Sequence, residues 1–100
     1  MKCKRIMISS PWKFDVGYDE VEVNLSPTEV LVKAAYTAIS PGTEVACISG
    51  MEGWFPLPGI PGYCAAGEVV QIGGEVSKFK VGDKVFYEGN HREYLSFPIF

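Results

Sequence analysis

The sequence predicts a mainly β fold, a small and partly open barrel with one short helix. Most apolar residues occur in short segments of strand length, and 11 glycines and 7 prolines separate these segments with turns. The 100 residues are 47% hydrophobic and 21% charged, which is the composition of a soluble globular domain and excludes a disordered tail.

The first half of the chain contains three predicted strands. Residues 4–9 hold an Ile-Met-Ile run. Residues 21–25 follow a polar stretch and alternate apolar with polar side chains, the period of a half-buried strand. Residues 29–39 form a longer apolar run with a β-branched start, so we expect a strand covered on both of its faces.

One short helix is predicted over residues 42–49. Ser40 is a suitable N-cap, and Pro41 suits the first helical position because its missing N–H is not needed there. Gly50 is placed to end the helix. Glu44 falls in the first turn, where the helix dipole favours an acidic side chain.

The second half alternates strands with glycine turns. Residues 50–62 contain seven glycines and prolines and are predicted to form a loop. Strands are expected at residues 64–72, 84–88 and 92–97. The turns between the elements are expected at Gly73-Gly74, Gly82-Asp83 and Gly89-Asn90.

Charge and hydropathy limit the partners and the compartment. The net charge is −3 and the pI is about 5.0, with one small basic cluster at Lys2, Lys4 and Arg5. Nucleic acid and anionic membranes are therefore not expected as main partners. No apolar run approaches the roughly 20 residues that span a bilayer, and no signal peptide is evident, so we expect a cytoplasmic protein.

Residues 29–98 resemble the N-terminal, GroES-like catalytic domain of the medium-chain dehydrogenase/reductase superfamily, which includes the alcohol dehydrogenases and quinone reductases. The matching stretches are EVLVKAAYTAIS, PGTEVACISG, PGIPGYCAAGEVVQIGGEVSKFKVGDKV and EGNHREYLSFP. The third is the most specific, because its spaced glycines and its Gly-Asp-Lys-Val turn follow the family pattern. The residues in step are Gly62, Gly67, Gly73, Gly82, Asp83 and Val85.

The departures from this pattern imply a zinc-independent branch. Pro41 aligns with a zinc-ligating cysteine of the family, and Tyr63 aligns with its zinc-ligating histidine. Pro41 offers no donor atom, and a neutral phenol is a poor zinc ligand. Cys64 aligns with a glutamate, and Ala46 with a proton-relay histidine of many alcohol dehydrogenases. The family's structural-zinc lobe is also missing.

The resemblance implies the substrate-side half of an oxidoreductase that uses NAD or NADP and acts on a small-molecule carbonyl, alcohol or enone. The chain lacks a Gly-x-Gly-x-x-Gly fingerprint, so we expect no cofactor binding by this chain alone. Residues 1–100 would then be one domain, cut off before the Rossmann-type nucleotide-binding domain that is its missing partner. The alternative is a stand-alone GroES-like binding or assembly module, whose class also contains proteins of about this length.

Three residues are candidates for the catalytic site. The resemblance places Tyr63 where relatives face the substrate, and its phenol is able to donate a hydrogen bond or a proton to a substrate oxygen. The hydroxyls of Ser40 and Thr43 are suited to hold the same oxygen. The alternative is that Tyr63 only packs in the cleft mouth while Ser40 caps the helix.

A new metal site is the weaker hypothesis. Cys47 and Cys64 lie near the family's metal positions, and His91 is the only histidine. No CxxC or HxxxH spacing supports such a site, and the odd cysteine count with Cys3 favours reduced thiols. We expect His91 to be exposed, because it follows a Gly-Asn turn.

Two apolar segments suggest contacts. Trp54, Phe55 and Leu57 lie on the Gly/Pro-rich loop, where they either form a lid or cover one end of the barrel. Four large apolar residues lie among the last six of the chain: Leu95, Phe97, Ile99 and Phe100. We therefore expect the isolated domain to form a homo-oligomer through its last strand and the neighbouring surface, or to aggregate. In the alternative, Leu95 and Phe97 fill the barrel and only Ile99 and Phe100 lie in solvent.

Overall fold

The computed structural model describes residues 1–99, which form six strands and one helix. The elements are β1 (Lys2–Ser10), β2 (Lys13–Glu20), β3 (Glu29–Thr37), α1 (Pro41–Ser49), β4 (Ala65–Ile72), β5 (Lys84–Tyr87) and β6 (Tyr94–Pro98). The predicted mainly β class with one short helix is confirmed.

The strands form two antiparallel sheets. β1 and β2 make a hairpin, and the other four strands have the order β5-β4-β3-β6. Two isolated bridges, Arg5 with Arg92 and Ile8 with Gly59, connect the hairpin to the rest of the chain. The sheet edges do not close on each other, so the barrel is open, as the sequence predicts.

The core lies on one side of the four-stranded sheet. Val30, Val32 and Val69 are at most 1% exposed. Partly buried apolar side chains pack around them: Ile72, Val76, Phe79, Val85, Tyr87, Leu95, Phe97 and Ile99. The end of the chain therefore contributes to the core, which favours the alternative in which Leu95 and Phe97 fill the barrel. Phe100 lies outside the described residues.

The helix begins and ends as predicted. Pro41 is its first residue, and Gly50 takes the left-handed conformation after it, with φ of 72°. The cap differs in one detail, because the Ser40 side chain makes no capping hydrogen bond. Its backbone oxygen instead accepts from the Glu44 N–H at 2.9 Å, so the Ser40 hydroxyl does not serve the helix.

The strand predicted at residues 21–25 is wrong. These residues keep the expected alternation of half-buried and exposed side chains, but they form no strand. The strand lies earlier, in β2, where a polar stretch was expected. Its alternating Phe14, Val16 and Tyr18 pair across the hairpin with β1, and all three are about 60% exposed.

The expectation that the strand over residues 29–39 is covered on both faces holds only for Val30–Val32. The second half of β3 is largely exposed.

Candidate substrate cleft

An apolar cleft of about 300 Å³ lies between α1 and the β1–β2 hairpin. A backbone hydrogen bond of 2.8 Å from the Trp12 N–H to the Ile48 carbonyl joins the hairpin to the end of the helix. Seven of the lining residues are apolar, and the two polar ones are Glu44 and His91. The volume is at the lower end of small-molecule sites, and such sites combine apolar walls with few polar groups. The apolar lining consists of Ile6, Ile8, Phe14, Ile39, Val45, Ile48 and Pro61.

Both ring nitrogens of His91 are engaged by side chains of other elements. Nε2 lies 2.6 Å from Oε1 of Glu44 on α1, and Nδ1 lies 2.6 Å from the Thr37 hydroxyl at the end of β3. The His91 side chain is 5% exposed, and that of Glu44 is 21% exposed. Glu44 therefore faces the cleft, and His91 lies behind it.

The backbone of His91 is also held by two hydrogen bonds. Its N–H donates to the Pro61 carbonyl at 2.8 Å, and its carbonyl accepts from the Ile6 N–H at 3.0 Å. Gly62 has φ of 105°, and a Cβ there would lie 3.0 Å from His91 Nδ1 and Cε1. Only glycine suits this position, since a larger residue would be strained and would crowd the imidazole.

The expectation that His91 is exposed is therefore wrong. The residue follows a turn, yet backbone hydrogen bonds and both ring contacts hold it inside the domain. Sequence reasoning had no local signal for this position, because residues 91–93 precede β6 and the side chains of residues 92–95 are all half-buried, without alternation.

Glu44 also affects the pKa of a neighbouring thiol on the same helix, Cys47. Burial, with a smaller contribution from the negative charge of Glu44, raises the pKa of Cys47 above its ordinary value. Cys47 is 3% exposed and has the free thiol form. It therefore behaves as a small buried apolar side chain rather than as a nucleophile.

The three candidate residues lie on two segments, Tyr63 shortly before β4 and Ser40 and Thr43 at the start of α1. Tyr63 is 53% exposed and lines a separate depression of about 510 Å³ with residues 88–90. Ser40 and Thr43 are half-buried at the start of α1, beside the cleft. The Ala38 N–H donates to the Cys64 carbonyl at 2.8 Å, which holds the two segments side by side. Their roles stay predictions.

The residues present do not suit a zinc ion. Among residues 1–99, no three His, Cys, Asp or Glu side chains cluster with the geometry of a metal site. Both His91 nitrogens are taken by Glu44 and Thr37. Cys47 is buried, and Pro41 has no donor atom.

Comparison with known proteins identifies the family. Residues 26–96 match the alcohol dehydrogenase GroES-like domain. The chain therefore belongs to this domain family of the medium-chain dehydrogenase/reductase superfamily.

Curated relatives and a solved structure agree with this assignment. The chain is 34% identical over 95 residues to a 2-desacetyl-2-hydroxyethyl bacteriochlorophyllide A dehydrogenase of Cereibacter sphaeroides, covering 91% of this chain and 29% of that protein. It is 40% identical over 83 residues to an L-threonine 3-dehydrogenase of Photorhabdus laumondii, covering 79% of this chain and 23% of that protein. An alcohol dehydrogenase superfamily protein of Novosphingobium aromaticivorans superposes with a TM-score of 0.79 at 25% identity, covering 96% of this chain and 32% of that one.

The chain thus spans less than a third of the length of these relatives. The α1 helix, the one helix within residues 1–99, is too short to cross a lipid bilayer.

Proposed function

We propose that this chain is the substrate-side domain of an NAD(P)-dependent oxidoreductase that works without zinc on a small carbonyl, alcohol or enone. The observation that carries the proposal is the apolar cleft with one polar pair, Glu44 and His91, in a domain whose curated relatives are dehydrogenases. An apolar wall suits the body of such a substrate, and a single polar group suits its oxygen.

The chain's own residues would bind the substrate and hold its oxygen. The nicotinamide, when bound, supplies or accepts the hydride. Ser40 and Thr43 flank the cleft at the start of α1, and the Ser40 hydroxyl is not used in capping. They are the first candidates to donate hydrogen bonds to the oxygen. Tyr63 is the candidate donor from the neighbouring depression.

The absence of zinc is proposed from the donor set. By resemblance, Pro41 and Tyr63 align with positions that hold zinc ligands in the zinc enzymes of the superfamily. Both ring nitrogens of His91 already contact other side chains. Polarisation of the substrate oxygen would then come from hydrogen-bond donors, which stabilise developing negative charge when they are fixed in an apolar site.

The nucleotide is proposed to bind mainly outside residues 1–100. A pyrophosphate favours free backbone N–H groups at a helix N-terminus without nearby negative charge. α1 begins with Pro41, which has no N–H, and carries Glu44 in its first turn. We therefore assign residues 1–100 to one domain of a longer enzyme with a Rossmann-type partner domain. The unpaired cysteines suit a reducing compartment, the cytoplasm.

Deuteride transfer tests the proposal. The coding sequence after Phe100 is read first, and the expected result is a Gly-x-Gly-x-x-Gly fingerprint rather than a stop codon. The encoded enzyme, stripped of metal with a chelator, is then incubated with 4-deuterated NADH or NADPH and a panel of small ketones, aldehydes and enones. Deuterium at the reduced carbon is expected for at least one compound. A stop codon, or transfer only after zinc is added, contradicts the proposal, and a stop codon favours the binding module.

A further inference from the structure

The best-defined polar arrangement in the molecule is the chain of contacts Thr37–His91–Glu44. Each contact is 2.6 Å long, each residue comes from a different part of the fold, and Glu44 lies at the wall of the apolar cleft. A purely structural link between α1 and β3 would not require titratable side chains. It would also not require one of these side chains to line a cleft that has seven apolar lining residues.

We propose that Glu44 and His91 form the proton-donating pair of the cleft, in which Glu44 gives the proton and His91 holds the carboxyl group, with Thr37 as the residue that orients the imidazole. The proposal rests on the oxidoreductase function argued above and names the source of the proton for that reaction. Glu44 is the catalytic residue, because it reaches the substrate space. His91 and Thr37 act through it as positioning residues.

The orientation of the ring follows from its two partners. In a neutral imidazole the Nε2–H donates to Oε1 of Glu44, because a carboxylate only accepts hydrogen bonds, and Nδ1 accepts from the Thr37 hydroxyl. Thr37 and His91 also line a groove of about 320 Å³. The charged residues of that groove are Lys4, Arg5, Arg92 and Glu93.

One positive charge of that groove, Arg5, is itself compensated. The Arg5 guanidinium lies 3.0 Å from Asp15 and 3.4 Å from Asp19 across the hairpin. On the helix side, the other titratable group near Glu44 is the Cys47 thiol. Glu44 is therefore the carboxylate in direct contact with the imidazole, and it is the one that opens on the cleft.

The proton step balances with the hydride step. In the loaded pair Glu44 is a carboxylic acid whose Oε1 accepts the Nε2–H of a neutral His91. When the hydride forms the new C–H bond, the carbonyl oxygen becomes an alkoxide. The alkoxide takes the carboxyl proton of Glu44, so the O–H bond of Glu44 breaks as the O–H bond of the alcohol forms. The products are the alcohol and a Glu44 carboxylate that still accepts the Nε2–H, and the imidazole stays neutral. Water in the emptied cleft reloads the pair through Glu44, and alcohol oxidation runs these transfers in reverse.

The tautomer of His91 provides a direct test, because this is the only histidine of the chain. Long-range ¹H–¹⁵N spectra of the 100-residue chain with a neutral imidazole should show the proton on Nε2 and a hydrogen bond accepted by Nδ1. Thr37→Ser keeps the hydroxyl and should keep the Nδ1 resonance, whereas Thr37→Val should shift it to that of an Nδ1 without a donor. A neutral imidazole protonated on Nδ1 in the wild-type chain overturns the proposal.

Kinetics of the complete enzyme separate a proton donor from a purely structural link. Glu44→Gln retains a hydrogen-bond acceptor for His91 but carries no transferable proton. We expect it to lower kcat by about 100-fold and to change KM little, the range of general acid–base catalysis. We also expect it to remove one limb of the pH–rate profile. Glu75→Gln, an exposed matched control, should leave the kinetics unchanged.

The outcomes distinguish the proposal of a proton-donating pair from the oxidoreductase function on which it rests. If the wild-type enzyme transfers deuteride and Glu44→Gln keeps the same kcat and the same pH profile, the proton pair is wrong while the oxidoreductase function stands. If the wild-type enzyme transfers no deuteride to any compound, the function fails and the proposed pair is overturned with it.

Discussion

The carbonyl oxygen of Lys33 lies only 2.2 Å from the point where a side chain on residue 67 would place its Cβ. β3 and β4 pair directly at this point, where Ala34 is opposite Gly67 beside an irregularity in the register. The glycine lets two backbones approach closely at the centre of the sheet.

Gly67→Ala should therefore destabilise the domain strongly. The new methyl group meets backbone, which cannot move aside as a flexible side chain would, and such overpacking costs about 1–3 kcal/mol. Urea unfolding followed by tryptophan fluorescence measures the loss. Gly74→Ala is the matched control, because nothing lies within 4 Å of its Cβ position. Equal stability of the two variants would contradict the close approach.

The three thiols should differ in reactivity. Cys64 is half-buried, whereas Cys3 and Cys47 are at most 3% exposed. Burial, followed by the charge of Glu44, also raises the pKa of Cys47, which lowers its thiolate fraction near pH 8. Iodoacetamide labelling read by peptide mass spectrometry should modify Cys64 first, and denaturant should remove the difference. Faster labelling of Cys47 in the native chain would contradict this assignment.

Tyr87 should make the fold sensitive to alkali. Its hydroxyl is buried without a hydrogen-bond partner among residues 1–99, and burial raises its pKa above the ordinary value of 10.0. The folded chain thus keeps a proton that the unfolded chain releases. This contribution to stability is complete below the unfolded pKa and is lost as pH rises through the folded pKa.

Tyr87→Phe removes both the titration and the unpaired hydroxyl. We expect the free energy of unfolding at neutral pH to stay the same or to rise by up to about 1 kcal/mol. Its decline as pH rises above the ordinary tyrosine pKa of 10.0 should become shallower than in the wild type. Denaturant titrations at a series of pH values measure both effects. A loss of stability at neutral pH would show that the hydroxyl has a partner.

The end of the chain should stabilise the core. The Ile99 N–H donates to the Thr28 carbonyl at 2.9 Å, and its side chain packs on the valine cluster. Ile99→Ser is therefore expected to lower the free energy of unfolding by about 1–2 kcal/mol. Val81→Ser, at a side chain that is 61% exposed, should change it by less than about 0.5 kcal/mol. If Ile99→Ser instead dissolves an oligomer without loss of stability, the expectation of association through the last strand is favoured.

Local sequence signals were sufficient for much of the fold. The helix over Pro41–Ser49 follows from the Pro at its start and Gly50 at its end, since these act within one turn. β4 and β5 follow from apolar segments between glycine turns. The β2 strand was missed because its apolar face is exposed and its strand character depends on pairing with β1, which local composition does not report.

The candidate site was predicted less well. The start of α1 was identified from Ser40 and Thr43, yet the pairing of His91 with Glu44 joins residues 47 positions apart. Contacts of this kind depend on tertiary packing of α1 against the last segment. The preceding turn suggested an exposed histidine, and no local pattern indicated that the residue is buried.

The central claim is that side chains of this domain, rather than a zinc ion, handle the substrate oxygen. The measurement that tests it most directly is the zinc content of a preparation that transfers deuteride, taken after dialysis without chelator. The account predicts well below one zinc atom per chain and unchanged turnover after chelation. One tightly held zinc per chain, with activity lost on its removal and restored by its return, would contradict the account and direct attention back to Cys47, Cys64 and His91.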